Sequence, residues 1–357
     1  MSIQSPMVSV IISANNHNRY LLETINNVQQ QTFTDFEVLI CHGGNSLSLV
    51  KWFEGQQDPR LKLFLEENVD LVQMLNLAIK GARGKYIAFL QADDLWHPKK
   101  LEKQIFCLNL YPAVGLVHSW LTVVDEQSKP VGKILRNKLS GWVESEILQR
   151  NRIGYSSAII RRDCLDIVGL FDSNLQTSFD WDLWIRLSRN YQFIAIAESL
   201  VYCCQHQDKI VQSWLTKEKD FHKTIEKAYQ NLPKGLLSLK NCTYGYASLS
   251  LARQVLQSRD RDVAIVNHYC RQTLEYSPHL SFSREFIKIS LAVFTLHCLK
   301  SDRYAFLLSL IQATRSWLLT IINKFKAFAH LLLNWMLKED ELSNKEQKIR
   351  DNDREKA

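Results

Sequence analysis

The chain has 357 residues, 46% of them hydrophobic and 23% charged, the balance of an ordinary globular protein. Twelve glycines and seven prolines are too few for a collagen-like, low-complexity or linker-dominated architecture; the length suits one large domain with an appendage, or two domains. A net charge of +7 favours acidic partners such as sugar nucleotides or phospholipid surfaces, but the basic residues form no stripe of the kind nucleic acid requires, so nucleic acid is not expected.

The first 110 residues alternate between two periodicities. Met7–Ser13 is a β-branched apolar run, as in a parallel strand covered on both faces. After the polar break Ala14–Arg19, apolar positions 21, 22, 25 and 28 recur at helical spacing. Phe36–Cys41 reads as a second strand, ended by His42-Gly43-Gly44, and Leu61–Leu65 as a third. Val72, Leu75, Ala78 and Ile79 mark a helix face, and Tyr86–Leu90 a fourth strand ending in Gln91-Ala92-Asp93-Asp94. Such alternation predicts an α/β fold with a mostly parallel sheet and flanking helices. Ligands bind such sheets beyond the carboxyl ends of the strands, so segments 14–19, 42–46 and 91–97 stand out.

Residues 114–206 carry further strands and a helix over 181–190. Beyond Pro233 helical periodicity dominates to about 337. The expected organisation is a catalytic domain over 1–232, a helical region over 233–337 and a charged, solvated tail over 338–357. Segment 303–338 is apolar but interrupted by Arg315, Lys324 and Lys326. It reads as an amphipathic helix packed on the domain or a partner, or docked on an anionic membrane surface, rather than as a span. The eight cysteines lack C-x-x-C spacing, and the N-terminus lacks a basic start and a cleavage-like site. Reduced thiols in a cytoplasmic protein are expected.

Two local features could carry chemistry. Asp93 and Asp94 at a strand end either bind a hard divalent ion completed by ligand phosphates or cap the helix starting near Pro98. Asp180, at the head of the helix carrying Leu183 and Trp184, is either a cap or a general base for a hydroxyl nucleophile. Gly81-Ala-Arg-Gly84-Lys85 lacks the glycine and hydroxyl positions of a phosphate loop.

The ordered motifs Val8–Ser13, Gln31–Glu37, Ala82–Leu90, Ala92-Asp-Asp-Leu-Trp-His-Pro98, Val168-Gly-Leu-Phe-Asp172 and Asp180-Trp-Asp-Leu-Trp-Ile-Arg186 resemble those of a family 2 glycosyltransferase with a GT-A, Rossmann-like fold, over residues 7–210. The resemblance implies an inverting, Mn²⁺- or Mg²⁺-dependent enzyme. It would move a sugar from a nucleotide-diphosphate donor to a glycan or lipid-linked acceptor in cell-envelope or extracellular polysaccharide synthesis. It assigns Asp180 as base, Asp94 and His206 to the metal, and Asp93, Ser13, Arg19, His42, Asn76 and Arg83 to the donor nucleotide. His42-Gly43 stands where the family usually has an acidic pair, and Phe179 replaces the base's acidic neighbour. No Q-x-x-R-W pattern of processive synthases is present, so single addition is favoured. The competing reading is an inactive sugar-nucleotide-binding or scaffolding protein on the same fold. If the acceptor is lipid-linked, segment 303–338 would hold the protein at the inner face of the plasma membrane.

Overall fold

The computed structural model describes residues 5–15, 18–43, 47–66, 69–204, 214–230, 232–258 and 260–297. Within them the chain begins β1 (Val8–Asn15), α1 (Asn18–Gln29), β2 (Phe36–Gly43), α2 (Leu47–Glu54), β3 (Leu61–Glu66), α3 (Leu71–Gly81) and β4 (Tyr86–Gln91). The short β5 (Leu95–Trp96), α4 (Lys100–Leu110), β6 (Val114–Val124), β7 (Pro130–Leu135) and α5 (Glu144–Gln149) follow. Next come β8 (Ile159–Arg161), α6 (Cys164–Val168), α7 (Phe179–Ser188), β9 (Gln192–Cys204), α8 (Trp214–Ala228), α9 (Lys234–Leu237), α10 (Lys240–Gln257) and α11 (Val263–Tyr276). The described strands form one sheet in the order β3-β2-β1-β4-β8-β6-β9-β5, with β7 paired to β6. β1 to β4 are mutually parallel, as expected, whereas β8 runs antiparallel to both β4 and β6.

The continuous apolar strands follow from a sheet covered on both sides. On one face Ile11, Leu39, Cys41, Ile87 and Phe89 pack with α3, α5 and α7. On the other, Val10, Ile12, Val38, Ile40, Ala88 and Leu90 pack with Leu21 and Ile25 of α1 and Leu101 and Ile105 of α4. The period of two sends successive residues to opposite cores, so both registers are mainly apolar. At the strands' N-terminal end the backbones close tightly: a Cβ on Gly84 would lie 2.4 Å from the Ser9 nitrogen. That approach admits only glycine.

The boundary expected after residue 232 is not a break in packing. Tyr244 and Ala247 of α10 join the core beneath the sheet, and the Thr243 hydroxyl donates to the Leu148 carbonyl of α5 at 3.2 Å. The opposite face of α10 makes a second core with α11 and a helix over 284–297, through Leu251, Val255, Val266, Tyr269 and Ile289. One compact unit therefore runs from Met1 to Cys298. Segments 303–338 and 338–357 lie outside the described residues. Among the described residues no helix is long and apolar enough to cross a membrane.

Candidate active site

The acidic turn after β4 is fastened from three sides. In register, Ser13 stands between Cys41 and Gln91, and the Ala92 amide donates to the Ser13 carbonyl at 3.0 Å. From α1, the Thr24 hydroxyl donates to the carbonyls of Ala92 (2.9 Å) and Asp94 (3.1 Å), while Asn27 exchanges two hydrogen bonds with the Trp96 backbone. From the far side, β9 pairs with β5 and presents the Cys204 amide to Asp94 Oδ1 at 3.1 Å. The third support is a short 3-10 turn, Tyr155–Ser157. Its Ser156 hydroxyl donates to Asp94 Oδ2 at 2.5 Å and accepts the Gln91 amide. The Asp94 carboxylate is only 2% exposed and charge-assisted bonds hold it. Helix α4 starts after Lys99, whose side chain makes no cap hydrogen bond, and the Asp94 carboxylate is turned instead to Cys204 and Ser156.

The head of α7 supplies the second carboxylate. Asp180 Oδ1 accepts the Trp181 amide at 2.7 Å, and Oδ2 accepts Asn151 Nδ2 at 3.2 Å. The preceding residue, Phe179, belongs to an aromatic group: Tyr155 and Phe179 meet edge to face at 5.9 Å, Phe171 and Phe179 at 5.1 Å, and Phe89 lies against both Tyr155 and Phe171. Phe179, where the resembling family has an acid, is thus part of an apolar wall. Burial pushes the Asp180 carboxyl up to about 6, against the pull of the Trp181 and Asn151 hydrogen bonds. A carboxylate poised there is ionised at neutral pH yet basic enough to take a proton. The hydroxyl of Tyr155 is buried with no hydrogen bond of good geometry. Burial, then Cys41 and Asp180 nearby, push its phenol well above the usual range, so it stays protonated.

The two later motifs of the sequence are joined by one arginine. Arg186 pairs with the buried Asp182 at 2.7 Å and donates to the backbone carbonyls of Val168, Gly169 and Leu170, fixing the loop before Phe171. Lys227 completes the cluster on Asp182 (2.9 Å) and Asp172 (2.7 Å).

Other expected site residues sort differently. Ser13 and His42 do stand at the carboxyl ends of β1 and β2, both buried. Arg19 lies in the first turn of α1; its side chain and His206 lie outside the described residues. Two assignments are corrected. Asn76 gives both amide atoms to the Phe171 backbone, at 2.9 and 3.0 Å, and anchors that loop instead of facing a nucleotide. Arg83 precedes β4 at the opposite end of the sheet, where its Nε bonds Glu37 at 3.1 Å. Strand β4, six residues long, separates it from the acidic turn by about 20 Å. Conversely Asn151, Tyr155 and Ser156 were missed. Their only sequence signal is a polar, glycine-containing run, 151–157, leading into a strand at the ligand end of the sheet.

The donor set suits a divalent cation. Among the described residues no three of His, Cys, Asp and Glu cluster as a self-sufficient cage. Two adjacent aspartates at the end of a parallel strand are a partial set of the kind that Mn²⁺ or Mg²⁺ completes with ligand phosphates.

Comparison with known proteins agrees with this architecture. Residues 9–164 match the family model described as glycosyl transferase family 2. An uncharacterized glycosyltransferase of Rickettsia typhi is 26% identical over 252 residues, spanning 68% of this chain and 78% of that one. Among solved structures, Staphylococcus aureus TarS 1–349 in complex with UDP-GlcNAc superposes with a TM-score of 0.54 at 14% identity, over 75% of this chain and 88% of that one. The mannosyltransferase PcManGT of Pyrobaculum calidifontis, in complex with GDP-Man and Mn²⁺, gives 0.50 at 17% identity, over 84% and 89%. The fold is of the GT-A type, and the stretch 9–164 is similar to glycosyl transferase family 2.

Proposed function

We propose that the protein is an inverting glycosyltransferase that moves a sugar from a nucleotide-diphosphate donor to an acceptor hydroxyl. One observation carries the reading: the single segment 151–156 holds both carboxylates, Asn151 on Asp180 and Ser156 on Asp94. A base and a diphosphate site are thereby set at a fixed separation, as an in-line displacement requires. Asp180 takes the acceptor proton while the acceptor oxygen bonds to the anomeric carbon. The bond to the diphosphate breaks with its electron pair leaving on the phosphate oxygen, so one displacement inverts the centre. Asp94, with Asp93, would hold the Mn²⁺ or Mg²⁺ that, when bound, neutralises the leaving diphosphate. The structural relatives caught with UDP-GlcNAc and with GDP-Man and Mn²⁺ support a nucleotide-sugar donor and a divalent metal.

For the acceptor we propose a glycan or lipid-linked hydroxyl of cell-envelope or extracellular polysaccharide synthesis, met at the cytoplasmic membrane face. The basic amphipathic run 303–338 supports this. The test is calorimetric titration of UDP and GDP, with and without Mn²⁺, into wild type and Asp94→Ala, followed by turnover of the bound donor in Asp180→Asn. Metal-dependent binding lost in Asp94→Ala, and a rate lowered about 10²–10⁴-fold in Asp180→Asn, are expected. No nucleotide binding would favour the scaffolding alternative.

A further inference from the structure

Asn151 sits two residues after α5, in a connection that ordinary loop packing would leave to any polar residue. Its two amide atoms have divided roles. Oδ1 accepts the Ile153 amide at 3.3 Å, which turns Nδ2 outward to Asp180 Oδ2 at 3.2 Å. The backbone contact therefore fixes which end of the amide faces the carboxylate, since only the nitrogen end can donate. Asp180 Oδ1 is held by the Trp181 amide of its own helix, so Asn151 Nδ2 is the donor that reaches it from a different element. Five residues further on, Ser156 holds Asp94, and the ring of Tyr155 between them meets that of Phe179, the neighbour of the base.

We propose that Asn151 is a positioning residue for the reaction put forward above: it orients the Asp180 carboxylate toward the acceptor and holds it in its charged form. The inference rests on that reading for its functional meaning, but its physical content can be tested without turnover. Of the titratable groups packed about Asp180, Tyr155 on the 3-10 turn stays protonated, and Asp182 on α7 is committed to Arg186 and Lys227. Neither substitutes for the Asn151 donor. Removing it disfavours the carboxylate and raises its protonation midpoint. As pH falls the base is then lost earlier.

The experiment follows the Asp180 carboxyl by ¹³C NMR titration in wild type, Asn151→Ala and the isosteric Asn151→Asp, beside pH–rate profiles of donor turnover. A midpoint raised by about half to one unit in Asn151→Ala is expected, and further in Asn151→Asp, where a second carboxylate faces the first. A one-unit rise lowers the rate at pH 6 about fivefold, with the rate regained at high pH. A merely structural Asn151 would lower thermal stability and leave the midpoint and the acid limb where they were, which overturns the proposal. Should Asn151→Ala fail to fold, an unchanged midpoint in the isosteric Asn151→Asp overturns it equally. A shifted NMR midpoint in a protein that turns over no donor sinks the transfer reading and leaves the tuning of Asp180 standing.

Discussion

Glu37 and Asp180 are both carboxylates set into the folded unit, one at the N-terminal end of the parallel strands and one beyond their C-terminal end. Glu37 is 1% exposed and fully answered: the Ser9 hydroxyl (2.7 Å), the Arg83 amide (2.7 Å), Arg83 Nε (3.1 Å) and Lys62 Nζ (2.8 Å) all donate to it. Burial pushes its acidity down, but these four bonds outweigh that and hold its pKa below the ordinary value of 4.5. Asp180 has two donors from neighbouring residues, Trp181 and Asn151, and burial wins, lifting it to about 6. Identical chemistry is thus stabilising at one end of the sheet and costly at the other. On the reading proposed above, the difference marks which end works: a fold leaves a carboxylate under-answered where it must exchange a proton.

The comparison predicts opposite responses to substitution. Glu37→Ala leaves the buried Ser9 hydroxyl and Arg83 amide without their acceptor and should destabilise by about 3 kcal/mol at neutral pH, with turnover per folded molecule unchanged. Because the folded pKa is lowered, this contribution is complete above about 4.5 and fades as pH falls through the folded value, so the gap between variant and wild type should shrink in acid. Equal denaturation midpoints of the two at pH 7.5 would break the contrast. Asp180→Asn should do the reverse, stabilising by about 2 kcal/mol at pH 7.5 while removing activity. Here the folded pKa of about 6 lies above the ordinary 3.8, so the native state of wild type gains protons, and stability, as pH falls through 6. The advantage of the variant should therefore close towards pH 4, a trend that urea titrations at several pH values would read. The smallest effect belongs to Lys62→Met. Lys62 is 36% exposed, and removing it leaves Glu37 three donors, so the loss should stay under about 1 kcal/mol.

Much of this was legible in the residues. The largely apolar runs at 7–13, 36–41 and 86–90 point to a sheet covered on both faces, because a strand buried on one side alone would alternate between apolar and polar residues. The strand ends then name Ser13, His42 and the Asp93–Asp94 turn, since the chain must leave the sheet there with polar residues. Periodicity is a local property, however, and the site is assembled over distance. Asp94 is held by residues 62 and 110 positions away, and Asp180 by one 29 positions away. Only the tertiary structure could show that segment 151–156 bridges the two carboxylates, or that Arg83 and Asn76 serve the scaffold. The sequence determined which groups the protein owns. Burial and long-range hydrogen bonding, which depend on everything packed around a side chain, decided which carboxylate is answered and which is left to act.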